Sequence, residues 1–269
     1  MTPSLRSALG PQPLDALQVV ARRRPLAIAP ARLAAGALTV GFLGGSITEG
    51  VDWNWPVPLC RWLAQAYPHA RIASENAALG ATGSDSGCLR ARREILDAGC
   101  DLVFVEYAVN DLTADPARRA RTREGVLRQL LAAGKEVVLV YTFSQPMYEE
   151  MAAGKRPATV AEFEELAEHY GLNSVWVGLH ALNEVRSGRM TWGEWLPDGL
   201  HPSHRGSWSY AEAVIAFLRE ELERASAPGH PLALPAPLSP LHWENVHLLP
   251  LELVEAEGPW VLRRVHDPL

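Results

Sequence analysis

With 269 residues, 48% of them hydrophobic and 21% charged, the chain is long and apolar enough for one well-buried domain and is not disordered. A formal net charge of −6 and a pI of about 5.9 argue against a chain built to bind nucleic acid or an anionic membrane surface. No run of about 18 apolar residues is present, so no segment is expected to span a membrane.

Residues 1–36 read as an irregular leader, with proline at 3, 11, 13, 25 and 30. Its basic cluster, Arg22 to Arg24, follows the apolar stretch instead of preceding it, which is the wrong order for a secretory signal. Three cysteines, Cys60, Cys88 and Cys100, are an odd number without metal-type spacing. Reduced thiols in a cytoplasmic protein are the expectation, with Cys60 in the core. Arginine runs at 22–24, 90–93 and 118–123 are mixed with acids or apolar residues and are expected to be solvated faces.

From residue 38 onward, short apolar runs alternate with helix-like stretches. The runs are 38–43, 71–74, 102–107, 136–141 and 174–177; helices are expected at 56–66, 116–133 and 160–170. Gly134 follows the second helix as a glycine often follows a helix C-terminus. Strands that are continuously apolar, and not alternating, are buried on both faces, which implies a parallel sheet between helical layers. The expected fold is therefore α/β, a three-layer α/β/α sandwich with a doubly wound, flavodoxin-like sheet of about five parallel strands. A last helix at 207–225 would bury Ala211, Val214, Ile215, Phe217 and Leu218. Residues 37–226 thus form the domain. The proline-rich stretch 227–240 cannot continue it, and 251–265 reads as two strand-like pieces. This extension, 227–269, is expected to strap across the domain or to form a small β element, for instance one joining two copies in a homo-oligomer.

In such folds ligands sit at the carboxyl ends of the strands, so the polar residues there carry the functional information. The first strand runs into Gly44-Gly45-Ser46, a turn that presents a serine with backbone N–H groups beside it. Alone, that turn fits a nucleotide-binding loop equally well, but no GxxxxGK[ST] is present and the spacing does not fit GxGxxG. Gly80 and Gly83 follow the second strand and offer further backbone donors. Asn110 follows the third, where its amide can reach an oxyanion; Asp111 looks like a cap for the next helix. Far downstream, Asp198 stands three residues before His201, a spacing that lets the carboxylate hold the imidazole and leave Nε2 free as a base. His201 and His204 lack a third ligand of suitable spacing, so no metal site is expected.

These blocks, in this order, resemble those of the SGNH (GDSL-type) hydrolases. The resemblance covers about residues 36–224 and implies a serine esterase needing no metal or organic cofactor. Ser46 corresponds to the nucleophile, His201 to the base and Asp198 to its orienting acid. Ser46, Gly80 and Asn110 correspond to the oxyanion-hole donors. Two positions depart from the family pattern: Gly45 stands where G-D-S has aspartate, and Ala108 where G-x-N-D has glycine. Neither side chain belongs to the catalytic set.

Tryptophans near these motifs, Trp53, Trp55 and Trp195, are candidate contacts for a sugar ring or a short acyl group. Nothing resembles a long apolar lid. The expected partner is thus a small-molecule or carbohydrate ester, with deacetylation of a carbohydrate first and general short-chain or aryl ester hydrolysis second. A reading from another class is a glycan-binding or oligomerisation protein with a vestigial site.

Overall fold

The computed structural model describes residues 13–50, 54–224, 234–250, 253–255 and 257–259. The five apolar runs become β2 (Ala37–Leu43), β3 (Arg71–Asn76), β4 (Leu102–Val105), β5 (Glu136–Val140) and β6 (Asn173–Val175). All five are parallel in the order β3-β2-β4-β5-β6. Both faces of β4 and β5 are buried at every position, as a continuously apolar strand requires.

A sixth strand, β1 (Val20–Ala21), pairs antiparallel with the outer edge of β6. The leader is therefore not irregular within its described part. After β1, Arg23 pairs with Glu164 and Glu168, and α1 (Ile28–Ala34) begins on the carboxylate of Glu136, which accepts the N–H groups of Ala27, Ile28 and Ala29. No single-segment pattern carries this, because every partner lies more than 100 residues away.

The helices are α2 (Ser46–Glu49), α3 (Pro56–Ala66), α4 (Ser84–Ala91), α5 (Pro116–Ala132), α6 (Tyr148–Ala152), α7 (Ala158–Tyr170), α8 (Val177–Arg186), α9 (Trp192–Trp195) and α10 (His204–Glu223). α3 and α8 each pack on α10, and α4 and α7 each pack on α5. α5 starts on Pro116, with Asp115 accepting the Arg118 N–H, and is followed by Gly134 at φ +69°. All five residues expected on the inner side of α10 are buried.

Two expectations about charge are corrected. Arg123 is fully buried: it pairs with Asp111 and Glu162 and lies 4.3 Å above the Phe163 ring. Arg119 is also buried, paired with Glu162, so the run at 118–123 is partly an internal ion network. Asp111 does not cap α5. It accepts the Ser84 N–H at the start of α4 and, through Arg123, fixes the end of β4 to α4 and α5. The three thiols are free, and burial pushes Cys60 up to about 11, as for a packing residue.

Beyond α10, residues 234–246 lie along α5 as a strap. Glu124 accepts the N–H groups of Leu238 and Ser239, Arg128 pairs with Glu244, and the Trp243 N–H donates to the Arg121 carbonyl. Gly125 permits this contact, because a Cβ there would lie 2.6 Å from the Trp243 carbonyl carbon. No strand occurs among the described residues after 224; most of the stretch 251–265 read as strand-like lies outside them. No helix among the described residues is long and apolar enough to cross a membrane.

Candidate active site

The chain leaves β2 toward β3 on one side and β4 on the other, so β2 is the point where the strand order reverses. Ser46 stands three residues beyond its end, as the first residue of α2. There the Ser46 N–H has no carbonyl partner within its own helix. Asn76, the last residue of β3, donates to the carbonyls of Thr48 and Glu49, while Asn54 donates to those of Glu49 and Gly50. Two asparagine amides thus satisfy the C-terminal end of the short helix.

The turn before α10 brings His201 across 155 residues to Ser46, with Oγ 2.9 Å from Nε2. Asp198 Oδ2 lies 2.7 Å from His201 Nδ1, and its Oδ1 accepts the N–H groups of Leu200 and His201. Partial burial works to raise the Asp198 pKa, but the hydrogen bonds from the His201 ring, the His201 N–H and the Leu200 N–H outweigh it and hold the carboxyl at about 2. An ionised Asp198 on Nδ1 keeps the proton on that nitrogen and leaves Nε2 to accept from Ser46.

Asn110 lies against the serine turn. A Cβ at Gly45 would fall 2.1 Å from Asn110 Oδ1 and 2.5 Å from Nδ2, so the missing side chain at 45 makes room for this amide. A cleft of about 280 Å³ opens beside it, bordered by Thr82, Asp85, Thr113 and Arg118. Gly80 also adjoins the turn, but its N–H, expected to serve an oxyanion, donates to Glu49 Oε2 at 2.8 Å. That carboxylate occupies the donor in this structure. The next residue, Ala81, has φ +57°, a conformation that costs a β-carbon-bearing residue about 1–2 kcal/mol. The loop is tied to the serine turn by the Leu79 N–H on the Gly44 carbonyl.

The tryptophans need correcting. Trp55 is fully buried, edge-on to Phe42 and Phe104, with its Nε1–H on Thr48 Oγ1. Trp195 is fully buried between Phe143 and Tyr210, and Gly206 at the start of α10 packs on it. Neither reaches solvent, so neither touches a substrate here; they prop the serine turn and the His201 turn from behind. Trp53 lies outside the described residues. Trp192, 42% exposed and stacked on Trp195, keeps a free edge near Tyr148.

Glu106, one residue past β4, was missed. It is fully buried and accepts from Thr48 Oγ1 and Thr142 Oγ1, and burial pushes its carboxyl up to about 7 against those donors and the Gly45 N–H. The signal was in the sequence: one carboxylate inside an otherwise apolar strand run. Among the described residues, His180, Glu184 and Glu212 bring ligand-type atoms within 4.8 Å of one another. Glu184 is already paired with Arg189 and Arg205, and Glu212 with Arg205, guanidinium groups that disfavour a cation.

The sandwich fold with a serine turn at the switch point of its sheet has the architecture of the SGNH (GDSL-type) class. The sequence model of the GDSL-like Lipase/Acylhydrolase family matches residues 42–208, and the chain belongs to that family. No curated protein matches the sequence. Among solved structures, a two-domain esterase active on acetylated mannans, co-crystallized with mannopentaose, is 29% identical, with a TM-score of 0.67 over 80% of this chain. A second structure of such an esterase is 28% identical with a TM-score of 0.70. The chain covers 56% and 60% of those two chains. A catalytic mutant of an acetylxylan esterase from Geobacillus stearothermophilus, 17% identical with a TM-score of 0.59, covers 70% of this chain and 97% of its own, and shares the fold.

Proposed function

We propose that the chain is a serine esterase that removes short acyl groups, chiefly acetyl, from carbohydrate esters through an acyl-enzyme. The observation that carries this reading is the 2.9 Å contact of Ser46 Oγ with His201 Nε2, backed by Asp198 on the far nitrogen. His201 takes the proton as Ser46 Oγ attacks the ester carbonyl, and a tetrahedral oxyanion forms. The Ser46 N–H and the Asn110 amide stabilise that charge; the Gly80 N–H joins them once the Glu49 carboxylate gives way to the oxyanion. His201 then protonates the leaving sugar hydroxyl. Water, deprotonated by the same imidazole, attacks the acyl-serine and releases the acid and free enzyme. The choice of a carbohydrate acetate is supported by the 29% identity to an esterase active on acetylated mannans.

The test is Ser46→Ala, assayed on 4-nitrophenyl acetate and on acetylated mannan and xylan oligosaccharides beside butyryl and octanoyl esters. Loss of all hydrolysis with the fold intact, and of fluorophosphonate labelling, is expected. Retention of most activity would overturn the mechanism. A preference for aryl esters over every acetylated sugar would overturn the substrate class alone.

A further inference from the structure

Three adjacent strand ends meet on one side chain beneath the serine turn. Glu106 follows β4, the strand between β2 and β5. Its Oε2 accepts the Thr48 hydroxyl at 3.0 Å, from the helix that begins with Ser46. Its Oε1 accepts the Thr142 hydroxyl at 2.8 Å, from the segment after β5. Thr48 is braced in turn by the Trp55 indole N–H at 3.0 Å. The approach is so close that a Cβ on Gly44 would fall 3.0 Å from Glu106 Oε2 and 2.9 Å from Thr48 Oγ1.

A fully buried carboxyl is costly, and apolar strands have no need of one for folding. What this one does is grip both sides of Ser46, packing against Gly44 before it and accepting from the Thr48 hydroxyl after it. Ser46 Oγ must meet His201, and Ser46 N–H must face the oxyanion, within a few tenths of an ångström.

We propose that Glu106 is a positioning residue for Ser46, a carboxyl clamp that sets the nucleophile turn from beneath without touching substrate. This rests on the serine-esterase reading above. Glutamine can replace it, because its amide oxygen accepts from Thr48 while its NH₂ donates to a reoriented Thr142 hydroxyl. Leucine cannot, since the Thr48 and Thr142 hydroxyls then lose their shared acceptor.

The test compares Glu106→Leu and Glu106→Gln with the wild type on 4-nitrophenyl acetate, with active sites titrated by a fluorophosphonate so that only folded enzyme is counted. Glu106→Leu is expected to lose about 100-fold in kcat per titrated site with KM within about twofold, and Glu106→Gln to restore kcat to within about threefold of wild type. A merely structural glutamate would lower the yield of titratable sites and leave kcat per site unchanged. Wild-type kcat per site in Glu106→Leu, or equal impairment of the two variants, overturns the clamp. If Glu106→Leu does not fold, Thr142→Val decides: it removes one donor from the carboxyl, leaves the Thr48 contact intact, and is expected to lower kcat about fivefold. Unchanged kcat there overturns the clamp equally. Labelling and hydrolysis by the wild type belong to the esterase reading, so an active, labelled wild type with an unimpaired Glu106→Leu refutes the clamp alone.

Discussion

Gly45→Ala places a β-carbon where the G-D-S pattern has aspartate. The backbone at Gly45 has φ −97° and ψ −158°, an extended conformation that alanine adopts without strain. The obstacle is Asn110, whose Oδ1, Cγ and Nδ2 would lie 2.1, 2.5 and 2.5 Å from the new Cβ. Ordinary carbon contacts begin near roughly 3.5 Å, so the amide must move by more than about 1 Å. The end of a side chain moves cheaply, and unfolding in urea should show a stability change within about 1 kcal/mol. Catalysis has no such freedom. On the proposed mechanism Asn110 is an oxyanion donor, and displacing one such donor costs about 10²–10³ in kcat, equivalent to about 2.7–4 kcal/mol. Steady-state kinetics on 4-nitrophenyl acetate for Gly45→Ala, Asn110→Ala and the double variant read both the size and the route. If Gly45 acts through Asn110, the double variant is no slower than Asn110→Ala, a non-additive cycle. A kcat for Gly45→Ala within about fivefold of wild type, or losses that multiply in the double variant, would refute the reasoning.

Glu106 carries a pH signature. Its folded pKa of about 7 lies above its ordinary 4.5, so the fold holds a proton that the unfolded chain has released. Stability from this group is full below about pH 4.5, falls as pH rises toward 7 and is lost above it, about 3 kcal/mol in all. Urea midpoints for wild type and Glu106→Gln should diverge over that window and run parallel above it; parallel curves throughout would contradict it. Gly125→Ala drives a Cβ into the Trp243 main chain, which cannot yield as a side chain does. The strap should lift, lowering stability by about 1–3 kcal/mol with little change in kcat, as followed by tryptophan fluorescence during unfolding. Glu49→Ala frees the Gly80 N–H, and kcat on a short acetate ester should rise severalfold; a fall would mean that the carboxylate supports the hole instead of filling it.

The five parallel strands and most of the long helices were legible because their signals are local. An uninterrupted apolar run such as Leu102–Val105 states that both faces are covered, and Pro116 with Gly134 brackets α5 without reference to anything else. The positions of Ser46, Asn110, Asp198 and His201 were legible for a related reason: each sits in a short block past a strand or just before a helix. The edge strand β1 was not, since two residues carry no periodicity and take their structure from β6, more than 150 residues away. Nor were the directions in which side chains point. Trp55 and Trp195 looked like substrate contacts from their nearness to the motifs, yet packing turns both inward.

Sequence by itself determined which residues stand at the strand ends, because strand and turn formation are decided over a few neighbours. Only the tertiary structure decided which of those residues meet. The Ser46–His201 contact, the Glu49 carboxylate on Gly80, Asn110 in the space left by Gly45 and Glu106 beneath them all join segments distant along the chain. Such contacts are set by how helices and strands pack, and packing is a property of the whole core, not of any one segment.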